Sequence, residues 1–147
     1  MIRENKDLLV QDICSRLPYG VKVSVNSEYL SEGLIKAGYD KPLVVYGITA
    51  DGGASFTLNK GLMEYSMPIL SIKPYLFPLS SMTEEQKVEF EEVSELDVEY
   101  TITPIENNSQ IWTSGLNRFN WFLKNHFDVY GLIPMGLAID ATNLNIY

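Results

Sequence analysis

One cysteine and one histidine, Cys14 and His126, are all this 147-residue chain holds of the two side chains most used for metal binding and nucleophilic chemistry. A single thiol excludes an intramolecular disulfide and a cysteine-based metal cluster. Any Ser-His-Asp or Cys-His system would have to use His126, and no G-x-S-x-G elbow accompanies it. Asp51-Gly52-Gly53 is a turn signal without the Lys-Ser/Thr and helix that would make a phosphate cradle, and no EF-hand spacing occurs. Bases are scarce against acids: eleven Lys and Arg face nineteen Asp and Glu, a net charge of −8. That balance argues against a general phosphate-backbone binder. No run approaches the ~20 apolar residues of a membrane span. The opening Met1 to Asp7 carries charge where a signal peptide needs an apolar run. The expectation is a cytoplasmic protein with no catalytic residue, cofactor, metal or membrane association, and hence not an enzyme.

The acid that is present is segregated. Between Glu84 and Glu106 lie nine acids and the single base Lys87, a local net of −8, while the rest of the chain is balanced. The apolar pattern changes at the same place. It is mostly strand-like before the connector Ile72 to Gln86 and mostly helical after it, which predicts an α+β fold. One domain over 1–147 is expected, with a β-rich half at about 18–79 and a mainly helical half at about 80–147.

A first helix is predicted over Lys6 to Leu17, with Leu9, Ile13 and Leu17 as its apolar stripe and Val10 and Cys14 beside them. Cys14 there reads as a small buried hydrophobe rather than a reactive thiol. Pro18 and Gly20 end the helix. Val21, Val23 and Val25 alternate with polar residues as a half-buried strand. Ser27 to Asp40 reads as either a short helix or a loop. Leu43 to Thr49 and Ala54 to Leu58 form a hairpin about Asp51-Gly52-Gly53. Met67 to Ile72 is a fourth strand, and Pro74 and Pro78 exclude a central strand through the connector. The expected architecture is an N-terminal helix and a small antiparallel curled sheet or SH3-like partly open barrel, then a helical C-terminal half. A flat meander covered by helices is the alternative.

Thr83 and Gln86 form a capping box that starts a helix to Glu95, apolar only at Phe90, Val93 and Leu96. Val98, Tyr100 and Ile102 alternate as a short strand. Ser114 caps a last helix to about Phe127, with Leu116, Phe119, Leu123, His126 and Phe127 inward. Trp121 points away from that stripe. It is either an exposed interface anchor or is covered by a folded-back 128–147 tail.

Ile72 to Gln86 resembles a signature of small uncharacterised proteins from gut Bacteroides-type bacteria, their prophages and phages. Leu17 to Val23, His126-Phe127-Asp128, Gly131-Leu132-Ile133 and Gly136-Leu137-Ala138 resemble it too, so the likeness covers about half the chain. Val129-Tyr130 and Pro134-Met135 depart from the pattern. The resemblance implies a mobile-element origin and a shared fold, and it brings no activity, cofactor or catalytic residue.

The function these features favour is a non-enzymatic interaction module that binds a protein partner through Glu89, Glu91, Glu92 and Glu95, or around Trp121, with a homodimer possible. A small nucleic-acid-binding barrel using Lys22, Lys36, Lys41, Lys60 and Lys73 is the alternative. An enzyme built on His126, oriented by Asp128, ranks last.

Overall fold

The computed structural model describes residues 2–49, 53–57, 64–102 and 116–147. Helix α1 runs Ile2–Arg16 and passes into a 3-10 turn at Leu17–Tyr19. Pro18 sits early in that turn, and Gly20, at φ 69, closes it in the left-handed region that glycine tolerates best. The chain then enters β1 (Lys22–Val25). The ambiguous stretch after it holds both a 3-10 turn, Ser27–Tyr29, and a short helix α2, Glu32–Lys36, capped by the Ser31 side chain.

Strands β2 (Leu43–Ile48) and β3 (Gly53–Thr57) form the expected antiparallel hairpin. Its turn at 50–52 lies outside the described residues. A bulge at Tyr46 shifts the register between Val45 and Gly47 and leaves that ring exposed. β4 (Glu64–Pro68) and β5 (Ile72–Leu76) divide the expected fourth strand between them. The break is the 3-10 turn Ile69–Ser71, fastened where the Ser71 hydroxyl donates to Pro68 O at 2.6 Å and Asn26 N–H donates to Ser71 O at 2.7 Å.

The sheet order is β4-β3-β2-β1-β5-β6, with β6 (Ile139–Asp140) supplied by the tail. The class is α+β as expected, with an N-terminal helix, an unclosed sheet and a helical C-terminal part, and two details differ. The sheet is mixed rather than antiparallel, because β6 runs parallel to β5. It is not closed, with β4 and β6 at opposite edges. A strand does run through Pro74, which pairs with Val23 of β1. β6 joins only at Tyr75 and Leu76, so the outer side of β5 has no β6 pairing at Pro74 to interrupt.

Helix α3 (Glu84–Ile102) continues through the residues expected to form a short strand. Extending a nucleated helix costs far less than starting a new element, so the brief Val98–Ile102 alternation is overridden. Helix α4 is Leu116–Lys124; its expected cap, Ser114, lies outside the described residues. The core lies between α1, the inner face of the sheet and the tail, with Leu9, Ile13, Val23, Ile72, Leu76 and Leu132 almost wholly buried.

Candidate functional site

The acidic surface is built from its helix start. Thr83 N–H donates to Gln86 Oε1 at 2.9 Å, and Gln86 N–H donates to Thr83 Oγ1 at 3.2 Å, which closes the capping box. Glu85 sits in the first turn. Hydrogen bonds from its own backbone N–H and from Thr83 hold its carboxyl below the usual range. Helix α3 docks on α4 through Phe90, whose ring centroid lies 4.8 Å from Phe122 and 5.4 Å from Trp121. With Phe90 and Val93 turned inward, helical spacing sends Glu89, Glu91, Glu92 and Glu95 outward, and all four are exposed.

The structure adds a residue that the charge pattern hid. Val88 is 57% exposed in the middle of this face, with Glu84, Glu85, Glu91 and Glu92 at i−4, i−3, i+3 and i+4. An apolar patch is thus ringed by carboxylates. Lys87 pairs with Glu84 at the N-terminal end of the face. The signal was present as a lone valine off the apolar stripe.

Trp121 is not an exposed anchor. It is 5% exposed, stacked on Phe127 at 5.6 Å and 16°, and edged by Phe122. Its cover is Phe90 of α3 together with Phe127. A single-stripe reading failed because α4 is packed on two sides, so residues on both sides of the wheel are buried. Leu123 is buried as expected, Phe119 is half-buried against Tyr130, and Leu116 is exposed.

His126 belongs to a buried polar joint. Arg16 and Asp12 have no exposed surface, and Arg16 Nε and Nη2 clasp the Asp12 carboxylate at 2.8–3.0 Å. Nη2 also donates to Phe127 O at 2.6 Å, tying α1 to the segment after α4. Burial pushes the Asp12 carboxyl up, and the Arg16 guanidinium opposes that shift. His126, at φ 60, is 8% exposed and stacks on Tyr147 at 3.7 Å and 9°. Burial lowers its pKa to about 4, helped by the positive charges of Arg16 and Lys22.

Asp128 does not orient His126. Its Oδ1 accepts from Leu132 N–H at 2.8 Å and its Oδ2 from Ile133 N–H at 2.9 Å, which holds the tail turn. The expected His126–Asp128 pair is therefore absent, and His126 Nδ1 is buried without a partner. Phe77 completes the joint. Its N–H donates to His126 O at 2.9 Å and its carbonyl accepts from Asp128 N–H at 2.8 Å. Asp12 and Arg16 of α1, Phe77 after β5 and residues 126–133 thus meet at this joint.

Cys14 is exposed rather than buried. The inward face of α1 is Leu9, Asp12, Ile13 and Arg16, and the paired charges occupy the turn that the thiol was expected to share. Of the lysines considered for nucleic acid, Lys22 is engaged by the tail, where Nζ donates to Ile146 O at 2.6 Å, and Lys60 lies outside the described residues. Among the described residues, no group of three or more His, Cys, Asp or Glu is arranged to hold a metal ion. No helix there is long and apolar enough to cross a membrane. Compared with known proteins, the chain matches no family model, no curated protein and no solved structure.

Proposed function

We propose that this chain is a non-enzymatic protein-interaction module of mobile-element origin, acting in the cytoplasm, that docks a basic protein segment on the outer face of α3. The observation that carries the reading is the ring of carboxylates around exposed Val88. A lysine or arginine laid on this face rests its alkyl stem on the valine and places its charged head among the glutamates. Concentrating the net charge in one segment focuses the field there, speeds encounter with a basic partner and makes binding sensitive to salt.

The test is affinity capture of the tagged chain from a lysate of the cell that encodes it, with and without nuclease, at low and moderate salt. A parallel capture uses the variant carrying Glu89→Lys, Glu91→Lys, Glu92→Lys and Glu95→Lys. A protein retained after nuclease, released by salt and lost from the variant is the expected result. Identical captures from both proteins, or a capture that vanishes with nuclease, would overturn the reading.

A further inference from the structure

The outward side of the β1–β5 pair is treated differently at its two ends. Buried Val23 and Val25 alternate with Lys22 and Ser24 along β1. Buried Ile72, Pro74 and Leu76 alternate with Lys73 and Tyr75 along β5, and Ser24 stands opposite Lys73. At one end Lys22 is consumed by the tail. Its ammonium donates to Ile146 O and lies 5.6 Å from the Tyr147 ring centroid. At the other end the face stays open as a cavity of about 330 Å³, lined by Ser24, Asn26, Ser27, Ser71 and Lys73, with Val25 and Leu70.

Several donors around the cavity are unspent. The Ser71 hydroxyl is spent on Pro68 O, and Asn26 Oδ1 accepts from Glu28 N–H, which leaves the Asn26 amide nitrogen free to donate. The Ser24 and Ser27 hydroxyls and the Lys73 ammonium have no partner among the described residues. No carboxylate is among the lining residues. A concave site with one cation, several unspent donors and an apolar wall fits a small molecule that carries negative charge at one end.

We propose that this cavity binds a small oxyanion-bearing molecule. Lys73 supplies the countercharge, Ser24, Ser27 and the Asn26 amide donate to the oxyanion, and exposed Leu70 covers the body of the ligand. This site is separate from the α3 face, so the two readings stand or fall independently. A sulfate-free sample of the full chain is titrated with inorganic phosphate and, separately, with acetate, at constant ionic strength made up with chloride. Backbone amide resonances report binding.

Saturable shifts confined to residues 24–27 and 70–73 are expected from at least one of the two anions. Saturation by phosphate alone assigns a phosphoryl-bearing ligand, and saturation by acetate alone a carboxylate. Lys73→Met should weaken binding by about tenfold or more. Ser24→Ala should weaken it less, and Lys36→Ala should leave it unchanged. Non-saturating shifts, shifts spread over other lysines, or unaltered binding in a folded Lys73→Met would overturn the proposal.

Discussion

Arg16 is the side chain most dependent on its surroundings, because a guanidinium with no exposed surface has only Asp12 and Phe127 O to replace water. Removing one partner of such a pair leaves a buried charge uncompensated, so Asp12→Ala should cost about 3–5 kcal/mol in urea unfolding. Replacing both, as Asp12→Leu with Arg16→Met, leaves only Phe127 O unpaired and should cost less than the single change. His126 gives a second residue-scale prediction. Its folded pKa of about 4 lies below the ordinary 6.5, so the fold favours the neutral ring. That contribution is fully present above pH 6.5 and is lost as pH falls through about 4, about 3 kcal/mol over the window. Asp12 acts in the opposite sense, since its raised pKa favours the folded state on protonation. His126→Asn, which tolerates the positive φ, should flatten the acid limb of the profile; an unchanged limb would show that His126 does not titrate in this way. Neither role was legible in the sequence. Asp12 and Arg16 stand four residues apart on α1, and opposite charges at that spacing usually sit at the surface, so nothing local marks them as buried.

At the scale of elements, α3 was legible where local chemistry dominates and illegible where context does. Its start was marked by the Thr83–Gln86 box, and both reciprocal bonds form. Thr83→Ala should cost about 1 kcal/mol, seen as a lower urea midpoint at constant slope. The β2–β3 hairpin was legible for the same reason, since its strands and turn residues are contiguous. What Trp121 touches was not, because its cover, Phe90, comes from a different helix. Phe90→Ala should cost about 2 kcal/mol, less than a fully buried phenylalanine, because Phe90 is half-buried. In a Trp112→Phe background, the same change should shift Trp121 emission toward that of a hydrated indole. Unmoved emission would mean that α3 does not supply the cover.

Over the whole molecule, the fold and the proposed docking face use different parts of the chain. The fold is fastened where α1, β1, β5 and the tail meet around Arg16 and Phe127, whereas Glu89, Glu91, Glu92 and Glu95 lie on α3, outside that joint. The tail is the long-range fastening. Tyr147 accepts from Lys22 N–H at 3.0 Å and donates to Tyr75 O at 2.9 Å, so one hydroxyl bridges β1 and β5 while its ring lies on His126. Although the residue as a whole keeps an exposed flank, burial at the hydroxyl end raises its pKa to about 12. Its stabilising contribution is complete below pH 10 and is lost as pH rises through about 12. Tyr147→Phe keeps the stack and deletes both hydrogen bonds. Because Lys22 N–H and Tyr75 O lie near the surface and can recruit water, the cost should be about 1 kcal/mol, not that of two buried orphans. Amide hydrogen exchange at Lys22 should accelerate in that variant while the β2–β3 ladder keeps its protection. Acceleration spread evenly over the sheet would mean that the tail sets global stability; none at Lys22 would mean that the bridge is not maintained in solution.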